Sequence, residues 1–159
     1  MTHITPYDDA QREAIVQIAL RAWAPVFASI ERAMDPEVYR EHHPDWRVTQ
    51  QRAVEAACAD PDVHVWIASE RAHPLGFIAL KLHTAERLGE IYMLAVDPES
   101  QRHGIATTLT AHALAWFKAV RMTTVMADTG GDCGHEPARR TYESAGFRPF
   151  PIARYFKKL

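Results

Sequence analysis

Residues Glu90–Leu109 read EIYMLAVDPESQRHGIATTL. Ile91–Val96 is an unbroken apolar run, which suits a strand buried on both faces. Asp97-Pro98 ends it, because Pro lacks the N–H that a central ladder uses and Asp favours turns. Gln101-Arg102-His103-Gly104-Ile105-Ala106 is then a polar loop that closes on Gly104 and opens a helix, with no further Gly or Pro until Gly130. The N–H groups of such a loop and first helical turn lack intrahelical partners. Together with the positive end of the helix dipole they form a seat for phosphate. Gly104 removes the Cβ that would hold a phosphate away from the backbone. The stretch predicts a strand–loop–helix unit that binds a phosphorylated cofactor.

Around it lies a chain of 159 residues, 47% hydrophobic, which predicts one domain over residues 1–159 with a sizeable core. A net charge of −2 supplies no basic field for nucleic acid. The start MTHITPYDD has neither the basic nor the apolar region of a signal peptide, and no later apolar run reads as long enough to cross a bilayer. Cys58 and Cys133 allow at most one bridge, so a reduced, cytoplasmic compartment is expected. The nine histidines lack the paired spacing of a zinc site, so no metal is expected.

Before the central stretch, Ile4 fits a short edge strand. Asp8 or Asp9 would cap a helix carrying Ile15, Ile18, Ala19, Ala22, Trp23 and Val26 at helical spacing, and Pro25 is expected to bend or end it. Short helices and turns should fill Ser29–Asp45, and a further helix should run from about Thr49 to Ala59. Val63, Val65 and Ile67 alternate with other residues as in a strand. A turn over Glu70–Pro74 leads to a second strand, Leu75–His83, and with the central strand these make an antiparallel meander. Beyond the loop, Ile105, Leu109, Ala113, Trp116, Phe117 and Val120 mark a helix face. Thr124–Asp128 is a strand parallel to the first, Pro137 opens another helix, and Phe147–Tyr155 reads as a last strand or strand pair.

Val96-Asp97-Pro98 followed by Gln101-x-x-Gly104-x-Ala106 resembles the acetyl-coenzyme A motif of the GNAT family of N-acetyltransferases. His135-x-x-Ala138-x-x-x-Tyr142-Glu143-x-x-Gly146-Phe147 resembles the second signature of that family. The two occur in the family's order, separated by one helix and one strand, and the resemblance covers nearly the whole chain. Ala106 stands where the family often has Gly, and His135 where it often has Asn. The resemblance implies an α/β fold: a mixed, mostly antiparallel sheet with helices on both faces and a central parallel strand pair splayed around the cofactor. It implies acetyl-CoA as cofactor. Leu94, Ala95 and Val96 would pair with its pantetheine arm. Gln101, Arg102, His103, Gly104, Ile105, Ala106 and Thr107 would hold its pyrophosphate, and His135, Ala138 and Arg139 would add contacts.

The chemistry implied is acyl transfer to a primary amine, by direct attack in a ternary complex. A lysine-like amine has a pKa of about 10.4 and an α-amine about 8, so a base helps to neutralise the nucleophile. Glu90, at the head of the cofactor strand, reads either as that base or as a solvated strand-end carboxylate. Tyr142, matching the family's tyrosine, would protonate the leaving thiolate, and backbone N–H groups around Leu94 would stabilise the oxyanion. Cys133 reads as an incidental thiol, since direct attack needs no covalent intermediate. Trp23, Phe27, Tyr39 and Trp46 are candidates for the acceptor pocket, with some of them in the core, and His83, at a strand end, reads either as a pocket residue or as an ordinary hydrogen-bonded histidine. The acceptor is expected to be a small-molecule amine, with a protein N-terminus or lysine as the alternative and a homodimer as the expected assembly. A non-catalytic acyl-CoA sensor is the reading from another class, and a toxin acting on charged tRNA is disfavoured by the charge.

Overall fold

The computed structural model describes residues 1–159. Five strands form one sheet in the order β1 (His3–Pro6), β2 (Val63–Glu70), β3 (His73–His83), β4 (Leu88–Val96) and β5 (Thr124–Ala127). The first four pair antiparallel, and β4 with β5 is parallel. Helices α1 (Arg12–Ala33), α2 (Pro36–His42) and α3 (Trp46–Ala59) precede β2, α4 (Ile105–Ala119) links β4 to β5, and α5 (Glu136–Ser144) follows β5.

The alternation read in the sequence sorts the sheet's two faces. Val63, Val65, Ile67, Phe77, Ala79, Met93 and Ala95 pack with Ile15, Val16, Ile18, Ala19, Val54 and Ala57 of α1 and α3. Ala68, Ile78, Leu80, Ile91 and Val96 pack with Ile105, Leu109, Ala113 and Phe117 of α4 on the other face. Each fully buried large side chain among these contributes on the order of 1.5–3 kcal/mol.

Capping follows the sequence as well. Asp8 forms a capping box with Gln11 on the 3₁₀ turn leading into α1, Asp35 caps α2, and Asp45 caps α3. Helix α1 nonetheless runs unbroken through Pro25, where the sequence predicts a bend or an end. Pro in a helix interior costs about 3 kcal/mol, and the continuation buries Phe27 and Ser29 beyond it. The segment Asp9–Ala33 is also long and apolar enough, by composition, to cross a membrane, where no such run was expected. Its apolar stripe at Ile15, Val16, Ile18 and Ala19 packs against the sheet.

The C-terminal region differs too. No strand follows β5. Pro149 and Pro151 lack the N–H groups that a ladder needs, and residues 147–159 form no helix or strand. Phe150 and Tyr155 are exposed, Phe156 meets the His42 ring edge-on, and Lys158 pairs with Glu41. The parallel pair therefore stands at the sheet's edge rather than its centre.

Gly89 of β4 allows α4 to approach closely, since a Cβ there would lie 2.4 Å from the buried Phe117 ring. Gly89→Ala is expected to destabilise the protein by about 1–3 kcal/mol through overpacking, read as a lowered urea midpoint with an unchanged slope. An unaltered midpoint would show that the ring has room to move.

Candidate active site at the split between two parallel strands

Strands β4 and β5 pair from Leu88 opposite Thr124 to Ile91 opposite Ala127, and there the ladder stops. Strand β4 continues to Val96, held only by β3 as far as Gly76 opposite Val96. The register on β3 slips at the same level: Leu80 faces Ile91 and Ala79 faces Met93, so Tyr92 is left without a partner. Such a bulge bends and twists its strand. The edge of β4 beyond Ile91 consequently faces an opening where β5 would otherwise lie. Ala95 and Val96 have their side chains in the core, and the Leu94 carbonyl accepts a hydrogen bond from the Trp23 indole N–H at 3.4 Å.

The opening leads to the loop. Asp97 accepts from the Glu99 N–H at 3.0 Å and pairs with Arg21 of α1. Burial raises its pKa, but these two partners outweigh that and hold the carboxyl below its ordinary range. The Gln101 amide donates to the Val96 carbonyl at 3.1 Å, fastening the loop to the strand end. Arg102 (φ +65°) and Gly104 (φ +77°) turn the chain, and Gly104 stands at the start of α4 with no side-chain cap. The N–H groups from Arg102 to Thr107 donate to no protein acceptor. Arg102, His103, Gly104 and Thr107 are exposed, Ala106 is half-buried and Ile105 is in the core. The Thr108 hydroxyl donates to the Gly104 carbonyl, so Thr107 is the free hydroxyl of this turn. A run of unpaired N–H groups at a helix N-terminus is an anion seat.

On the face that carries α1, Glu90 stands one residue before the end of the β4–β5 ladder. Its Oε2 lies 2.6 Å from Nε2 of His83 on β3. The structure thus joins two residues that the sequence placed separately, in the base role and in the acceptor pocket. Tyr142 of α5 packs against the α4-side core and meets the Phe147 ring at 5.4 Å. Burial pushes its phenol up to about 12.

The loop after β5 is tied down by contacts invisible in the sequence. Asp132 accepts from the Ser29 hydroxyl of α1 and lies 2.5 Å from Nδ1 of His135. Burial raises the Asp132 pKa, but the Ser29 hydroxyl and the His135 imidazole outweigh it and bring it below the ordinary value. Arg139 donates to the carbonyls of Gly130 and Asp132, so His135 and Arg139 both brace the loop. Ala138 is half-buried on α5. Among the aromatic candidates, Phe27 and Trp46 stack at 4.5 Å, and His43 packs on both Phe27 and Tyr39. These rings hold α1, α2 and α3 together. Trp23, edge-on to Phe77, is the one that reaches the split.

The chain matches the acetyltransferase (GNAT) family over residues 27–147. It belongs to that family. It is 30% identical to a mycothiol acetyltransferase of Streptomyces coelicolor over 109 residues, 67% of this chain and 35% of that protein. The chain therefore spans about a third of the length of that relative. Among solved structures it superposes on the ribosomal-protein-alanine N-acetyltransferase of Escherichia coli with a TM-score of 0.71 at 17% identity, covering 97% of this chain and 82% of that one. It also superposes on an N-acetyltransferase of Thermoplasma acidophilum in complex with coenzyme A, with a TM-score of 0.69 at 18% identity, covering 93% and 90%. In this GNAT chain the first motif lies at the end of β4 and the second on α5 and the turn before it.

Removing the Ser29 hydroxyl leaves the Asp132 carboxylate and the Gly134 N–H each one partner short. Ser29→Ala is expected to cost about 1–3 kcal/mol at pH 7. Because the folded Asp132 pKa is depressed, its contribution is present above the unfolded value of about 3.9 and lost as pH falls through the folded one. The gap between wild type and variant should therefore narrow below about pH 4 in denaturant titrations. A gap independent of pH would remove Asp132 from this role.

Proposed function

We propose that this chain is an acetyl-CoA-dependent N-acetyltransferase acting on a primary amine by direct transfer in a ternary complex. The observation that carries this reading is a pair of backbone openings. The N–H groups from Arg102 to Thr107 have no protein acceptor, and the β4 edge beyond Ile91, to which the loop leads back, has no partner strand. A ligand that is anionic at one end and amide-bearing along its length fits both parts, by the phosphate logic of helix N-termini and by strand addition. Coenzyme A has that form, and bound acetyl-CoA supplies an activated thioester.

The chain's residues divide the remaining work. Arg102 to Thr107 hold the pyrophosphate, with the Arg102 guanidinium and the Thr107 hydroxyl as further donors. Leu94 and Val96 align the arm through their backbone. Glu90 takes a proton from the attacking amine, which is nucleophilic only when neutral. Tyr142 gives its proton to the departing sulfur, its phenol being protonated at neutral pH. A small-molecule acceptor is supported by the mycothiol acetyltransferase relative. A protein N-terminus is the alternative, supported by the fold shared with the ribosomal-protein-alanine enzyme.

The test is thiol release from acetyl-CoA across a panel of primary amines. Amine-dependent release is expected, and binding without release for any amine would favour a sensor instead. Tyr142→Phe should lower kcat by about 10²-fold or more with acetyl-CoA binding retained. Unchanged turnover would remove Tyr142 from the acid role. The raised phenol pKa also has a stability consequence. Its contribution is present below the unfolded value of about 10 and is lost as pH rises toward the folded one. Wild type should therefore lose stability between about pH 10 and 12 more steeply than Tyr142→Phe.

A further inference from the structure

We infer that His83 is the proton-relay partner of Glu90, carrying to solvent the proton that Glu90 takes from the amine. The inference rests on the proposed acetyl transfer and concerns how its base is discharged.

Three observations carry it. The first is which partner Glu90 has. The residue directly opposite Glu90 on β3 is Lys81, and opposite charges facing each other across a ladder ordinarily pair. Here Lys81 turns away, with its Nζ 3.5 Å from the Tyr92 ring centroid, while Glu90 bonds to His83 at 2.6 Å. A carboxylate locked to an ammonium is a poor proton acceptor. One bonded to an imidazole has a neighbour with one ring nitrogen to accept a proton and a second to release it. The second is burial: the Glu90 side chain is 19% exposed and that of His83 is 42% exposed. The pair thus runs from a partly enclosed carboxylate beside the split to a ring in contact with water. The third is the bulge at Tyr92, which breaks the β3–β4 register between the Lys81–Glu90 pair and the opened part of β4.

The charged groups around the pair come from three strands and from α1, which packs on this face and carries Arg21, paired with Asp97, and Glu31 and Arg32 further along. On β3 there is Lys81, and on β4 there is Tyr92, which carries that lysine. On β5 the residue opposite Glu90 is the uncharged Met126, with Asp128 two residues further on.

The transfer balances in protons and charge. The ammonium form of the acceptor gives one proton to Glu90, and the protonated carboxyl passes one through Oε2 to Nε2 of the neutral imidazole. The imidazolium then releases one from Nδ1 to water. The amine is left neutral with its lone pair free, and one hydronium appears in solvent. No oxidant or further reactant is needed.

His83 acts through Glu90, so it is a positioning residue, and its test needs a readout that mere packing would not move. The experiment follows thiol release from acetyl-CoA with whichever amine of a panel reacts fastest, at pH 5.5–9, for wild type, His83→Gln and His83→Ala. Wild type without turnover on any amine overturns the acetyltransferase reading and this inference with it. With turnover present, both variants should lose about 10²-fold in kcat while KM for acetyl-CoA stays within about twofold. Without the imidazole, the acid limb of the pH–rate profile should move to lower pH, and added imidazole should restore part of the rate of His83→Ala but not of His83→Gln. Variants that bind acetyl-CoA normally and turn over at the wild-type rate would overturn the relay. So would a loss of rate with an unmoved acid limb and no rescue, which would assign His83 to packing alone.

Discussion

The parting of β4 from β5 after Ile91 and Ala127 is the constraint on which the rest of this structure depends. A buried parallel pair that stopped for no reason would leave β4 backbone groups without partners, each costing about 1–3 kcal/mol if kept from water and unsatisfied. The chain eases the opening with a bulge at Tyr92, which turns the strand as its neighbour leaves, and with the Trp23 indole and the Gln101 amide, which donate to the Leu94 and Val96 carbonyls. Past the hydrogen-bonded residues Asp97 to Ser100, a second set of unpaired N–H groups runs from Arg102 to Thr107 at the first turn of α4. The fold therefore leaves two gaps in its own hydrogen bonding, one on the β4 edge and one at the start of α4.

One helix spans the opening. Arg21 and Trp23 of α1 hold the β4 side, through Asp97 and through the Leu94 carbonyl. Ser29, further along the same helix, holds the loop after β5 through Asp132. The unbroken course of α1 through Pro25 has a clear consequence here. Had the helix ended near Trp23, Ser29 would not lie where it meets the loop, and the two lips of the opening would not be braced by one rigid element. The His83–Glu90 pair lies just before the parting, and Tyr142 packs with the α4-side core.

Much of this was legible in the sequence, because local patterns report local physics. The alternation of Val63, Val65 and Ile67 gave β2, Asp97-Pro98 marked the end of β4, and Gly104 marked a turn that needs positive φ. The order of the two motifs indicated the family before any coordinates. Pairings set by distant packing were not legible. Nothing near Ser29 announces Asp132, more than a hundred residues away. Nothing near Lys81 tells that it will stack on Tyr92 and leave Glu90 to His83. The tail was misread for a related reason: Phe150 and Ile152 have strand-like composition, but Pro149 and Pro151 remove the donors a strand would need. The aromatic candidates were read by type, and three of the rings, Phe27, Tyr39 and Trp46, hold helices together.

The central claim is that the backbone left unpaired by the split strand and the loop is where acetyl-CoA lies. Amide hydrogen exchange with and without acetyl-CoA tests it most directly, since a ligand bonded to backbone slows exchange at the amides it occupies. The account predicts slowed exchange concentrated in two segments, Leu94–Val96 and Arg102–Thr107, with β1 and α3 unchanged. Protection that spares both segments, or that falls only on the tail beyond Gly146, would contradict it.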